Sequence, residues 1–493
     1  MTFYIYIILA YLLVLMGFNF YRARKVKNQE DFMVAGRSLS VWVMVFTLIC
    51  TWIGSGTFIA GAEYAYKAGF SSLWMAAGAW FGIIVIYFLA AKIRTFGQYT
   101  IGDIMEVRYG KAARLAAAVA LIISFVAIVS YQFVAGGFIL NVITDGAISE
   151  HLGMIISAVF VVLFTALAGM MAVAYTDLPN GIIIVVAVLI SLPFVYLKVG
   201  GWHAARATLP PDFFQVFNSR FGAHPVLKGL GYALSTFMLL MGVQSMYQKF
   251  YSAKTPKDAK VSVVFWVIGT VIVETAVVAI AVFSMVKLGH MINPNVEKEG
   301  GKLVLLAARY LVPAPVGVLL LAAAVVVVIS TGMNYLLSPT TNIMRDVYQR
   351  MINPNAKQST MVFMQRLWVV ILGGIAFALA WKLQSVLQMA YFAYVIYGVA
   401  ITPALIAALA WKRATRAGGI TSIVSGTVVT IGLKIMTYVL PERMMPGGDP
   451  FGIPIIYPAL IISVGTLIVV SLLTTPPSRE ELEKLFPEKE PAA

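Results

Sequence analysis

Two stretches carry the residue types that could do chemistry inside an apolar chain. The first is Phe46–Gly69, FTLICTWIGSGTFIAGAEYAYKAG, in which Gly54, Ser55, Gly56 and Thr57 follow Thr51 and Trp52. Glycine costs about 1 kcal/mol per helical position relative to alanine, so the hydrogen-bond ladder weakens here and backbone carbonyls come free. In a bilayer such carbonyls are tolerated where they line a cavity or bind something, as in the interrupted helices of transporters; a glycine-rich face for close helix packing is the plain alternative. The second stretch is Ile329–Tyr348, ISTGMNYLLSPTTNIMRDVY, where Ser330 and Thr331 end the aliphatic run Ala322–Ile329. Their hydroxyls either bond back to the carbonyl four residues earlier or, with Gly332 and Pro339 loosening the helix, point at a ligand. Neutral oxygens suit a hard monovalent cation such as sodium, or a proton-linked water.

Other polar residues are weaker candidates. Asp177, in AVAYTDLPNG, precedes Pro179 and reads as a helix cap or as a cation or inner-gate contact. Glu63 closes the first stretch and faces water or an outer gate. The four histidines, His151, His203, His224 and His290, have no metal-ligand spacing, and no nucleophile elbow, zinc motif or phosphate loop is present. The aromatic group Tyr391, Phe392, Tyr394 and Tyr397 reads as packing and interface anchors.

The elements that must position these residues are membrane helices. The 493 residues are 60% hydrophobic and 12% charged, with mean hydropathy +0.87, a composition that excludes a soluble domain. Apolar runs of about 20 residues predict thirteen spans, near 3–21, 41–65, 72–91, 113–139, 152–171, 179–198, 229–247, 261–286, 316–337, 363–381, 385–410, 418–438 and 453–473. The first reads as a retained span rather than a cleaved signal. The net charge of +15 follows topology: most Lys and Arg fall in the loops at 22–40, 92–114, 249–260, 345–366 and 412–416 and in the tail, which places the N-terminus outside and the C-terminus in the cytoplasm. No nucleic-acid partner and no obligate protein partner is indicated. The single cysteine, Cys50, excludes an intrachain disulfide. The loops at 200–228 and 290–315 are each expected to hold a short amphipathic helix, the latter from the periodic run Val304, Leu305, Leu306, Ala308, Tyr310 and Leu311. A transmembrane domain at 1–475 and a short cytoplasmic tail at 476–493 are expected.

The chain resembles the sodium:solute symporter family. MVAGRSL (Met33–Leu39) is similar to the family's GGRS segment, Thr47–Gly69 to its first core helix, AVAYTD (Ala172–Asp177) to its A-V-x-W/Y-T-D motif, and Ile329–Tyr348 to its S-[ST] helix ending in D-[LIV]-Y. The match runs over about 30–350 in order and spacing. The resemblance implies an all-α LeuT-type core of two inverted five-helix repeats, spans two to six and seven to eleven, in a plasma-membrane importer of a small organic solute. It carries over a sodium site on the carbonyls of Cys50, Ile53 and Val327 and the hydroxyls of Ser330 and Thr331, with Na+ as the bound ion. Trp52, Gly54, Ser55 and Gln244 are the implied solute contacts; Asp177, Glu63 and Arg37 are gating or structural residues. Met333 and Asn334 stand where relatives with a second sodium site have hydroxyls. The surroundings of Trp52 are most similar to the choline-carrier branch, but Val243 stands where those carriers have a further tryptophan. Proton coupling, a transporter-like sensor and a membrane enzyme are the alternatives; the short tail speaks against a sensor, and the lack of a catalytic constellation against an enzyme.

Overall fold

A computed structural model describes residues 29–97, 99–382 and 385–483, with a few isolated positions before residue 29. Among the described residues eleven helices are long and apolar enough to cross a membrane, against the thirteen expected. The expected span at 3–21 lies almost wholly outside the described residues. Val41–Trp52 (α1) is too short to cross alone. The helical run Gly56–Phe96 has 41 residues, about 60 Å of helix and twice a hydrocarbon core. It turns at Gly69, where φ is +61° and an added Cβ would lie 2.5 Å from the Phe213 backbone. Gly61–Ala68 (α2) precedes that turn and Leu73–Phe96 (α3) follows it.

The remaining helices are Ile101–Tyr109 (α4), Lys111–Ile143 (α5), Glu150–Leu167 (α6), Val173–Val199 (α7), Pro225–Gly242 (α8), Gln244–Ser252 (α9), Pro256–Leu288 (α10), Ala314–Asn342 (α11), Gln358–Trp381 (α12), Val386–Ala400 (α13), Thr402–Ala410 (α14), Arg416–Val439 (α15) and Ile456–Leu473 (α16). The expected loop helices are present as Gly201–Thr208 and Leu303–Tyr310; the latter buries Leu303, Val304, Leu305, Ala307 and Ala308 against the bundle. In one group α3 packs on α8 and α10, and α10 on α1. In a second, α11 packs on α5, α12 on α5, and α11 on the Glu150–Val199 run. The helix α13 bridges them through α5 and α8.

Two helices of the first group, α1 and α8, are interrupted. At the end of α1, Ile53 has ψ +87°. The amides of Gly54, Ser55 and Thr57, which a continued helix would give to the carbonyls of Cys50, Thr51 and Ile53, go instead to Trp52 O, Gln132 Oε1 and Gly54 O. Between α8 and α9, Val243 has ψ +119°. There the Tyr397 hydroxyl accepts from Gln244 N and donates to Gly242 O, each at 2.9 Å. Tyr397 therefore satisfies a helix break, a more specific role than the packing anchor expected of it.

Two charges assigned to loops from the sequence are buried. Arg114 is fully buried and pairs with Asp103 and Asp346 at 2.5 Å and with Glu106; Thr100 and Asn342 also donate to Asp346, at 2.8 and 2.6 Å. This cluster ties α4, α5 and the end of α11 together near the basic end of the bundle, where Arg94 reaches Ala253 O at 2.6 Å. Lys249, on α9, is likewise fully buried.

Candidate functional site

The interruption of α1 faces α11 at close range. Thr331 Oγ1 donates to the carbonyl of Cys50 at 2.9 Å. An added Cβ at Gly54 would sit 2.6 Å from Thr331 Cγ2 and 2.8 Å from its Oγ1; only glycine lets the two backbones approach this closely. Ser330 and Thr331 are both buried, as are Cys50, Ile53 and Val327. Val327 lies one turn before Thr331 on α11. The structure thus brings Cys50, Gly54 and Thr331 into contact, with Ile53 at the break itself.

Ser330 leads into a second buried network. Its hydroxyl donates to Asp177 Oδ1, while Thr47 Oγ1 and Asn334 Nδ2 donate to Asp177 Oδ2 at 2.6 and 3.2 Å. Lys249 Nζ donates to Asn334 Oδ1 and, at 3.1 Å, to Met170 Sδ. The helix-cap reading of Asp177 is corrected: the residue lies inside α7, with Pro179 also inside the helix, and its carboxylate joins α1 and α11. Ser330's hydroxyl can donate to Asp177 and still offer its lone pairs to a cation, so Asp177 orients one of the expected sodium ligands.

Trp52 lies on the other side of the α1 break. Its indole Nε1 donates to Glu274 Oε1 at 2.9 Å, Trp80 Nε1 donates to Glu274 Oε2 at 2.7 Å, and Thr57 Oγ1 lies 3.3 Å from Oε1. The Trp52 and Tyr394 rings are 6.1 Å apart and tilted by 36°. Trp52, Thr57, Glu274, Tyr394 and Thr236 line a cavity of about 20 Å³, room for about one water. Glu274 was not singled out from the sequence, although a lone acid in the middle of the apolar run 261–286 is a signal by itself. Ser55 takes a different neighbour: its hydroxyl and amide both reach Gln132 Oε1, and Gln132 Nε2 is buried without a protein partner.

The structure does not bring Gln244 to this cavity, which corrects its expected place beside Trp52. Its amide is engaged by Asn342, by Ser338 O at 3.3 Å and by Ile101 N at 3.2 Å, next to the Arg114 cluster. A residue following a helix break reads in sequence as a cavity residue, yet its partners lie on α4 and α11. Glu63, fully buried, accepts from Ser385 Oγ at 2.6 Å, Leu387 N at 3.1 Å and Lys67 Nζ at 3.2 Å. It binds α2 to the start of α13. Arg37 sits at the opposite, basic end, paired with Glu30 at 2.8 Å and 5.8 Å from the Tyr99 ring centre. Two residues on, Leu39 exchanges backbone hydrogen bonds with Ser252 and Lys254 at 3.0 and 2.9 Å. One end of the broken helix is therefore tied by Glu63 and the other by the Leu39 bridge and the Asp177 network.

The model of the sodium:solute symporter family matches residues 32–426. A sodium/proline symporter of Staphylococcus aureus is 26% identical over 497 residues, covering 96% of this chain and 93% of its own length. A Na+-coupled sialic acid symporter, solved in a substrate-bound outward-open state, superposes with TM-score 0.78 at 16% identity and covers 96% of this chain and 98% of its own. A nucleobase-cation-symport-1 family transporter in a closed conformation gives TM-score 0.58 at 13% identity over 93% of this chain. These structural likenesses establish a LeuT-like fold. With the family model spanning most of the chain, the protein belongs to the sodium:solute symporter family and is a sodium-coupled membrane symporter rather than an enzyme.

Proposed function

We propose that this protein imports a small organic solute across the plasma (inner) membrane by alternating access, with the N-terminus outside and the C-terminus in the cytoplasm. One sodium is held by the carbonyls of Cys50, Ile53 and Val327 and the hydroxyls of Ser330 and Thr331. The observation that carries this reading is the 2.9 Å approach of Thr331 Oγ1 to the Cys50 carbonyl over Gly54. It places a freed carbonyl of one repeat against a hydroxyl of the other, in a fully buried setting where oxygens without net charge can replace part of a sodium ion's hydration. Five neutral ligands hold a monovalent cation without trapping it, since no carboxylate is a direct ligand. The solute sits against Trp52, Gly54 and Ser55, with Gln132 offering its free amide.

Motion follows from the two ties. The cavity beside Trp52 is too small for any organic solute while both are closed, so solute entry requires Glu63 to part from Ser385 and Leu387. Release to the cytoplasm requires the Lys249–Asn334–Asp177 network to open. Sodium bridging α1 and α11 biases the choice between these states, because it binds only where the two helices meet. The test is uptake of labelled solutes in proteoliposomes under an imposed sodium gradient or an imposed proton gradient. Uptake driven by sodium alone is expected; uptake driven by protons with sodium absent would refute the reading.

A further inference from the structure

We infer that Glu274 makes the central cavity a site for a small organic cation, so that the solute carried with sodium bears a positive charge on nitrogen. The inference rests on the sodium-symport reading above and adds the charge class of the solute. Glu274 lies near the middle of the apolar run of α10 and is almost fully buried. Its two oxygens each accept from an indole N–H, Trp52 at 2.9 Å and Trp80 at 2.7 Å. An indole donates and never accepts, so both Glu274 oxygens serve as acceptors, an arrangement that an ionised carboxylate beside a cation satisfies fully. Among the hydrogen-bond partners of Glu274 in the described residues, only the Thr57 hydroxyl, at 3.3 Å, could accept a carboxylic proton.

When ionised, Glu274 has no cationic partner among the described residues. No Lys, Arg or His lines the cavity, and among the described residues Glu274 makes no ion pair. Other buried acids of the same molecule differ: Asp346 pairs directly with Arg114, and Asp177 is bridged to Lys249 by Asn334. A buried charge without a counter-ion is costly, and three neutral donors offset that cost only in part. A cationic solute would complete the site, with Glu274 as counter-ion and the Trp52 and Tyr394 rings, 6.1 Å apart, offering aromatic surface to a positive headgroup. Trp52 follows Cys50 by two residues and precedes Ile53, so the headgroup would lie within a residue or two of the sodium ligands. The carboxylate then screens the repulsion between the two cations.

The probes are choline and ethanolamine, a fixed and a protonated amine, each paired with the uncharged analogue in which carbon replaces nitrogen. Binding to the purified protein in nanodiscs with sodium present is read by tryptophan fluorescence and by protection against thermal unfolding. At least one cation is expected to bind, and its uncharged analogue to bind at least thirty-fold more weakly, about 2 kcal/mol. Glu274→Gln should remove the preference for the cation while sodium-dependent protection persists. Protection by sodium with neither cation bound, or with each cation bound no better than its analogue, would overturn the inference and leave the sodium reading standing. Loss of sodium protection in the parent protein would instead refute that reading. If Glu274→Gln does not fold, the comparison of cation with analogue in the parent protein decides alone.

Discussion

The hydroxyl of Thr331 donates to the backbone carbonyl of Cys50 across 2.9 Å, joining the interrupted helix of the first repeat to an uninterrupted helix of the second. That contact exists because Gly54 has no side chain. Its would-be Cβ falls 2.6 Å from Thr331 Cγ2, closer than real side-chain contacts allow.

Gly54→Ala should therefore push Thr331 away from Cys50 and raise the sodium concentration for half-maximal uptake about tenfold, the loss of roughly one neutral ligand. Solute affinity measured at saturating sodium should change less. A sodium titration of uptake in proteoliposomes checks the first, and a solute titration at saturating sodium the second.

Cys50 is the only cysteine, and it reports on the site without engineering. Its thiol is buried and donates to the Asp177 carbonyl at 3.3 Å. Sodium, but not potassium, should slow alkylation of Cys50 severalfold by holding α1 against α11, as measured by mass spectrometry over a labelling time course.

Asp177→Asn should leave Lys249 without its counter-charge. The two charges are bridged by Asn334 rather than in contact, so the loss should be smaller than the roughly 3–5 kcal/mol of a broken direct pair, yet thermal stability in detergent should drop measurably. Adding Lys249→Met to Asp177→Asn should recover part of the loss, because the uncompensated charge goes with it. A double-mutant cycle on unfolding midpoints measures this coupling.

Sodium stoichiometry should be one per cycle. Met333 and Asn334 stand where the family resemblance places the hydroxyls of a second sodium site, and the Asn334 side chain is already engaged by Asp177 and Lys249. A cationic solute carried with one sodium moves two charges; a neutral one moves one. Reversal potentials measured at varied sodium and solute gradients separate these cases, and two sodium ions per solute would contradict the assignment.

How much of this was legible in the sequence depends on how far apart the interacting residues lie. The break at Gly54–Thr57 could be read because successive glycines weaken a helix ladder, and Ser330–Thr331 stood out as hydroxyls ending an aliphatic run, although glycine packing and back-bonding hydroxyls leave the same local pattern. Gln244 was misplaced because its partners Ile101 and Asn342 are remote in sequence, and position after a break does not reveal them. Arg114 and Lys249 read as loop charges at span ends; their burial depends on Asp346 and Asn334, which only folding brings near. Glu274 went unread although its signal was local: a single acid in an apolar span needs partners, and here two of them are tryptophans on other helices.

The sodium dependence of uptake in Ser330→Ala and Thr331→Ala, each expressed at the parental level, tests the central claim most directly. Each substitution removes one neutral oxygen and leaves the helix intact, so half-maximal sodium should rise about tenfold in each, with maximal uptake recovered at high sodium. Unchanged sodium dependence in both variants would contradict the placement of sodium between Cys50 and Thr331.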